Sequence, residues 1–348
     1  MIRKICTRKI AYVFVAFVYF FFLGSALAVN ITKRGTTGAK FLSIGIGSRA
    51  NAMGGAFVAI ANDASTMYWN PAGLARLTER EFFVNYSNWL VDIGLSYTGI
   101  VIPVGRFGTV GASLTFVKSI NEMEVTTEEY PEGTGETFSA GHYAIGISYG
   151  KNLTDRFSIG GSIKYIGEYI MNCRANSFAV DIGTLFLTPY KGLRFGVSIS
   201  NFGKKIQITG PDLLVQKDID ERISGNNESV NAYLSTDKFD LPLILRVGIA
   251  GEIVNNKSVR LTWAMDAAHP NDNTEYLNYG LEMSLFRNMI FLRWGMNSVF
   301  MESRENKYNL GFGLNFDLTH GTKISFDYSF QQYEHLPETR QYSIVVKF

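Results

Sequence analysis

The sequence predicts an all-β transmembrane protein: a 14-stranded antiparallel up-and-down β-barrel with a small N-terminal hatch or plug segment. Three observations point there. Charged residues make up only 18 % of the 348-residue chain and aromatics 14 %, with 26 Phe, 18 Tyr and 34 Gly. That balance suits a membrane barrel better than a soluble enzyme. From Glu81 to Phe348 the chain alternates apolar with small or polar residues, in stretches long enough to cross a bilayer. The connections between those stretches alternate between tight and long. No internal run of about 18 apolar residues offers a spanning helix instead.

Residues 1–28 read as a secretory signal peptide. Arg3, Lys4, Arg8 and Lys9 form a basic start, Ile10 to Leu23 an apolar stretch, and Ala26-Leu27-Ala28 a small-residue cleavage site near Ala28. Cleavage there takes the formal net charge from +2 to −2, because the four basic residues leave and no acidic one does. A mature chain of that charge has no electrostatic footprint for nucleic acid. Cys6 leaves with the leader, so Cys173 remains alone and no intramolecular disulfide can form. Between Asn172 and Arg174, Cys173 reads as an idle thiol in a loop.

Residues 29–80 form the hatch. Within Gly45 to Leu77, fifteen of 33 residues are Gly, Ala or Ser, so few side chains project far and the segment can pack inside a confined space. Asp63-Ala64-Ser65-Thr66 is placed to cap a short helical turn, which Pro71 ends.

Residues 81–348 form the barrel. Its strands are expected at Glu81–Trp89, Gly94–Val104, Gly108–Ser119, Ser139–Leu153, Phe157–Ile170, Asn176–Pro189 and Leu193–Gly203. The second half continues with Leu241–Val254, Ser258–His269, Glu275–Phe286, Met289–Val299, Tyr308–Leu318, Thr322–Tyr333 and Arg340–Phe348. Soluble strands centre on about five to six residues, whereas a tilted strand needs about 9–11 to cross a bilayer. Each stretch has two chemically distinct faces. Leu310, Phe312, Leu314, Phe316 and Leu318 share one side, opposite Gly311, Gly313, Asn315 and Asp317.

Alternation alone would also suit a soluble sandwich. The connections decide against one. Gly105–Phe107, Thr154–Arg156, Tyr190–Gly192, Asn255–Lys257, Arg287–Asn288 and Thr319–Gly321 are two or three residues long. Between them fall Ile120–Phe138, Met171–Ala175, Lys204–Asp240, Pro270–Thr274, Phe300–Lys307 and Gln331–Thr339. Tight periplasmic turns alternating with longer outer loops, and an even strand number, are habits of outer-membrane barrels. The outer loops Ile120–Phe138 and Lys204–Asp240 read as solvated, or as docking surface for a partner. Tyr342, Ile344, Val346 and the terminal Phe348 lie on one face of the last strand, and an aromatic end of this kind resembles the signal read by the outer-membrane barrel assembly machinery.

Familiar chemical motifs lack their context. Gly45-Ile46-Gly47-Ser48-Arg49-Ala50 matches a relaxed dinucleotide fingerprint, but no βαβ unit surrounds it. Asn70-Pro71-Ala72 matches the pore triplet of water channels, which needs helical spans that are absent here. His142, His269, His320 and His335 are scattered, without the spacing of a metal site. No GxSxG or HExxH occurs. Catalytic, cofactor-binding and metal residues are accordingly expected to be none.

Lys164, Asp181, Arg194, Arg246, Arg260, Asp266, Glu282, Arg293, Asp317, Asp327 and Lys347 fall on the small, polar strand faces. A charge on the lipid face near the midplane costs about 2–4 kcal/mol for Arg or Lys, so these should face the lumen. Both signs are present, which suits support of a plug better than a single-signed selective pore.

Met53-Gly54-Gly55-Ala56-Phe57-Val58-Ala59, Asn62-Asp63-Ala64-Ser65 and Tyr68-Trp69-Asn70-Pro71-Ala72-Gly73-Leu74 together resemble the opening motif of PorV/PorQ-type proteins, within the wider class of FadL-type outer-membrane barrels. The resemblance marks Gly54, Gly55, Asp63, Ala64, Ser65, Asn70, Pro71, Ala72 and Gly73 as hatch residues. It implies a fourteen-stranded barrel with an N-terminal hatch in the outer membrane of a Gram-negative cell. For the PorV branch it implies work in type IX secretion, with secretion components and cargo C-terminal domains as partners besides outer-membrane lipid and the assembly machinery. For the FadL branch it implies inward passage of hydrophobic molecules, which would need an apolar pocket lined by Phe57, Met67, Tyr68 and Trp69. A purely structural barrel is the third reading. Export support ranks first.

Overall fold

The computed structural model describes residues 34–90, 93–190, 192–218, 222, 229–301, 304–318 and 321–348, with the backbone alone at 119–122. The expected leader at 1–28, with the expected cleavage site near Ala28 and Cys6, residues 29–33, and His320 lie outside the described residues. Among the described residues, no helix is long and apolar enough to cross a membrane.

Fourteen strands close into one antiparallel barrel. They are β1 (Glu81–Asn88), β2 (Gly94–Pro103), β3 (Thr109–Glu124), β4 (Thr137–Asn152), β5 (Phe157–Ile170), β6 (Cys173–Leu187) and β7 (Arg194–Gly203), then β10 (Ile244–Asn255), β11 (Val259–Pro270), β12 (Tyr276–Leu285), β13 (Ile290–Val299), β14 (Asn306–Asp317), β15 (Lys323–Tyr333) and β16 (Thr339–Lys347). Each pairs with its neighbours in sequence, and β1 closes the ring on β16 from Glu81↔Lys347 to Asn88↔Arg340. A closed ring leaves no unpaired edge, as a bilayer demands. The ends of the barrel differ. One carries the tight turns, Glu81 and Phe348, and we call it the turn end; the other carries the longer connections and is the loop end.

The side chains follow the pleat. On β1, Glu81, Phe83, Asn85 and Ser87 are buried inward, while Phe82, Val84 and Tyr86 are exposed outward. On β14, Leu310, Phe312 and Phe316 are exposed while Asn309 and Gly313 are buried. On β16, Tyr342 and Ile344 are exposed outward, as is Phe348 just beyond its end, while Gln341, Ser343 and Val345 are buried. The outer surface is thus an apolar and aromatic band suited to lipid.

The strand edges depart from the sequence reading at β3, which runs five residues past the expected Ser119 into the expected loop Ile120–Phe138, and around Cys173. Cys173–Ala175 belong to β6, and only Met171 and Asn172 separate it from β5. The Cys173 side chain is therefore buried in the wall rather than idle in a loop. Its polar neighbours Asn172 and Arg174 gave the wrong signal because these strands rise past the apolar zone. There they meet the long loop: Arg174 bridges Thr209, and Asn172 bonds through its backbone N–H and its amide to Asp212 at 3.0 and 2.9 Å. The expected strict alternation of short and long connections does not hold here, and it is lost again late in the chain, where β14–β15 at the turn end and β15–β16 at the loop end are joined by five residues each. Inside the long loop, β8 (Leu214–Lys217) pairs with β9 (Val230–Tyr233) as a small ribbon.

Residues 34–80 run through the lumen. Gly38 donates its N–H to Asp240 O at 2.9 Å, and Arg34 donates to Asn273 at 3.2 Å, both at the loop end. The chain then folds through short helical pieces at Lys40–Ser43, Ser48–Ala52, Thr66–Trp69 and Pro71–Arg76, and reaches β1 at the turn end. Asp63 braces the turn that leads into the third piece, its carboxylate accepting from Ser65 N at 3.0 Å and Ser65 Oγ at 2.6 Å, although no side chain caps the piece itself. Pro71 does more than stop a helix. Extended Asn70 separates two helical pieces, and Pro71 opens the second while Asn70 Oδ1 caps it through Ala72 N at 3.1 Å.

Candidate functional site: the hatch and the lumen wall

Small residues let the hatch approach the wall at backbone distance. Gly54 has φ +68°, and a Cβ there would lie 2.5 Å from Met296 O and 2.7 Å from Met296 N and C. Gly55 also has positive φ (+76°), with Trp69 and Asn278 at 3.2 Å from its would-be Cβ. Ala64, Ala72 and Gly73 sit where the hatch folds on itself: a Cβ on Gly73 would meet Ala61 and Thr66. The wall answers in kind. A Cβ on Gly280 would come 2.5 Å from Met53 O, and one on Gly150 2.8 Å from Leu74 Cβ.

Polar groups then fix the position. Asn70 Nδ2 donates to Val58 O within the hatch (2.9 Å) and to Thr184 O on β6 (3.0 Å). Asp266 on β11 accepts the backbone N–H groups of Phe57 and Val58 at 2.8 and 2.9 Å through one carboxylate oxygen. On the closing strand, Ser343 Oγ accepts from Ser48 N at 2.8 Å, and Asn51 donates to Gln341 at 2.6 Å. Trp69 Nε1 donates to Ile46 O at 2.8 Å.

The strongest anchor is one that the sequence reading left out. Arg49 lies in the helical piece Ser48–Ala52 and grips Glu282 of β12 with two parallel bonds, Nε to Oε2 at 2.7 Å and Nη2 to Oε1 at 2.9 Å. Its remaining nitrogen donates to Asp63 at 3.0 Å and Asn62 at 2.8 Å. Glu282 also accepts Arg293 Nε at 2.8 Å, with Arg260 Nη2 at 3.6 Å. Arg293 in turn donates to Asp327 at 2.6 Å. Only Asp63 inside the hatch could have marked Arg49 as paired; its main partner is 233 residues away in sequence.

The other inward charges pair along the wall. Lys164 meets Asp181 at 2.8 Å, and Asp181 accepts Asn201 N at 2.7 Å. Arg194 meets Glu252 at 2.8 Å, and Lys347 meets Glu81 at 2.7 Å. Asp317 differs. It is exposed at the turn end, in register with Lys323 of β15. Arg246 differs again, stacked over Trp69 and Tyr68 with 5.4 and 5.9 Å to the ring centroids. Such paired, mixed charges hold a plug without creating a single-signed field.

Clefts remain above and below the hatch. At the turn end, about 200 Å³ is lined by Arg49, Asp63, Arg260, Arg293, Asp327 and Lys347 among others. Near the loop end, about 160 Å³ lies beside Arg246, Trp69, Tyr276 and Asn278. The four aromatic and sulfur side chains expected to form one apolar pocket do not do so. Met67 and Tyr68 border a cavity of about 20 Å³ between the hatch and the wall near Tyr97 and Ala144. Phe57 and Trp69 pack against each other in a separate cluster, ring centroids 6.4 Å apart. A cavity of about 150 Å³ is the size that admits benzene, so 20 Å³ holds no such molecule. The Tyr68 hydroxyl donates to Leu42 O at 3.1 Å.

The histidines stay apart. His142 stacks on Phe41 at 5.3 Å, while exposed His269 and His335 face Glu275 and Glu305 at 2.9 and 3.3 Å. Among the described residues, no group of three or more His, Cys, Asp and Glu is arranged to hold a metal ion.

The fold has relatives among solved structures. The toluene transporter TodX of Pseudomonas putida aligns with a TM-score of 0.53 at 12 % identity, over 87 % of this chain and 97 % of its own. The toluene transporter TbuX of Ralstonia pickettii gives the same figures. A Pseudomonas aeruginosa FadL homologue aligns with a TM-score of 0.50 at 13 % identity, over 85 % of this chain and 96 % of its own. Identities this low show a shared barrel fold. No curated protein matches the chain. A family model does: that of the type IX secretion system protein PorV, over residues 29–211 of the 348. The match spans the hatch and the first seven strands of a closed outer-membrane barrel, and the chain belongs to the PorV family.

Proposed function

We propose that this outer-membrane barrel is a non-enzymatic component of type IX secretion, supporting export or surface attachment of cargo proteins that carry a C-terminal sorting domain. The match to the PorV model across hatch and wall carries the reading. The lumen agrees with it, since a hatch pinned by Arg49, Asp266 and the closing strand suits a scaffold better than a conduit. In this reading the hatch motif from Gly54 to Gly73 and the inward charges hold the plug. The outward face of Tyr342, Ile344, Val346 and Phe348 serves recognition by the assembly machinery, and residues 1–28 direct export of the precursor.

The alternative, a channel for hydrophobic compounds, draws support from the barrel shape shared with the toluene transporters. Against it, among the described residues the apolar cavity between hatch and wall holds only about 20 Å³, and the clefts of about 160 and 200 Å³ beside the hatch are lined mainly by polar and charged side chains. Affinity purification from native outer membranes separates the two. Co-purification of secretion components or of a cargo C-terminal domain is expected. Recovery of the barrel without any of them, together with loss of labelled toluene or fatty-acid uptake on deletion, would overturn the secretion reading.

A further inference from the structure

Among the described residues, every inward cation of the barrel wall but one has an anion beside it. Lys164, Arg194, Arg260, Arg293 and Lys347 each lie within 3.6 Å of a carboxylate oxygen. Arg246 is only 5 % exposed, yet among the described residues it has no carboxylate within 4.0 Å. Asp266, its inward neighbour on the next strand, spends Oδ2 on the hatch backbone, and its Oδ1 has no hydrogen-bond partner but does not come within 4.0 Å of Arg246. A buried guanidinium without a counter-ion is costly. The faces of Trp69 and Tyr68 offset part of that cost.

Arg246 borders the cleft of about 160 Å³ near the loop end. Neutral donors share its wall. Tyr276 brings a hydroxyl, and Asn278 accepts from Ser298 N through Oδ1 at 3.0 Å, leaving its amide nitrogen for the cleft. A single fixed positive charge among neutral donors matches a monoanion. A planar oxygen pair suits the fork of a guanidinium. At about 160 Å³ the cleft is close to the cavity size that admits benzene, so a carboxylate on a short chain fits within it and a long acyl chain does not. We propose that Arg246, Tyr276 and Asn278 form a binding site for the carboxylate of a hydrophilic ligand entering from the loop end. The carboxylate belongs either to a short free acid or to the end of a polypeptide. The inference does not rest on the secretion reading, and its test needs no secretion partner.

The full-length protein in detergent is titrated calorimetrically at constant ionic strength with four probes: propionate, inorganic phosphate, acetyl-trialanine with a free C-terminus, and the same peptide as its amide. Modification of Arg246 by phenylglyoxal, followed by mass spectrometry, gives a direct readout on the unmutated protein. Binding of propionate or of the peptide acid, with protection of Arg246, is expected. Arg246→Gln should weaken it about tenfold or more, as for loss of a charge-assisted bond, and Arg246→Lys less. Native migration on unheated gels checks that each variant is folded. Lys257→Gln, in the tight turn at the far end, should bind like the parent. Peptide acid bound at least tenfold more tightly than propionate assigns the site to a chain terminus; comparable affinities assign it to a free acid. Equal affinity for acid and amide, tighter binding of phosphate, unchanged affinity in folded Arg246→Gln, or no protection of Arg246 would overturn the proposal.

Discussion

Glu282→Gln tests what holds the hatch in place. The carboxylate receives two bonds from Arg49 and one from Arg293, at 2.7, 2.9 and 2.8 Å, with side-chain exposure of 1 %. Removing one partner of a buried pair costs about 3–5 kcal/mol, because the other charge stays buried and uncompensated. Here Arg49 keeps Asp63 at 3.0 Å and Arg293 keeps Asp327 at 2.6 Å, which places the cost near the lower bound, about 3 kcal/mol. Because Arg49 belongs to the hatch, the loss should fall on its local opening rather than on the wall. At 1.4 kcal/mol per tenfold, that is about a hundredfold rise in the open fraction. Native-state amide exchange reads it directly: hatch amides between Ser48 and Ile60 should lose about two decades of protection, while those of β4 and β5 change little. The double variant Glu282→Gln/Arg49→Met should recover more than about 1 kcal/mol, since the unpaired charge has gone. Exchange within threefold of the parent, or additive effects in the double variant, would refute the reasoning.

Three further outcomes follow. Gly54→Ala places a Cβ 2.5 Å from Met296 O at φ +68° and should lower the thermal transition of the assembled barrel. Gly35→Ala, also at positive φ but with nothing within 4 Å of its would-be Cβ, should cost about 1–2 kcal/mol at most, so equal shifts in the two melting curves would contradict the packing. Asp266→Ala removes the acceptor of two buried backbone N–H groups and should destabilise the hatch by about 2–3 kcal/mol, measured by the same exchange. Lys40→Cys, half-exposed at the loop end beside Asp272, should react in whole cells with a membrane-impermeant maleimide, whereas Glu79→Cys at the turn end should not.

Much of the wall was legible. The inside–outside alternation of residues such as Phe82 and Phe83 is written at period two, and lipid on one side with a crowded lumen on the other punishes any slip. The wrong edge at Cys173 arose where strands rise beyond the lipid and the pattern loses its apolar half. The hatch showed its small residues but not its fastenings. Arg49 finds Glu282, and Asn51 finds Gln341, across separations of 233 and 290 residues that no local pattern records. Glu81 and Glu252 escaped for a related reason: each reads as the polar end of a strand, and only its partner, Lys347 or Arg194, shows that it points inward.

The path of residues 34–80 imposes an order of events on biogenesis. Gly38 is tied to Asp240 at one mouth, and Glu81 begins the wall at the other, so the segment between them is a thread through a ring. A ring already zipped from Glu81↔Lys347 to Asn88↔Arg340 could receive that thread only end-first, past Arg49, Trp69 and the wall charges. The workable sequence lays the thread down while the sheet is still an open arc. Ser48 and Asn51 then present their polar groups to Ser343 and Gln341 of the last strand as it arrives. The plug is therefore a jig for the final stitch, and a chain lacking it should stall as an unclosed sheet rather than mature into an empty pore.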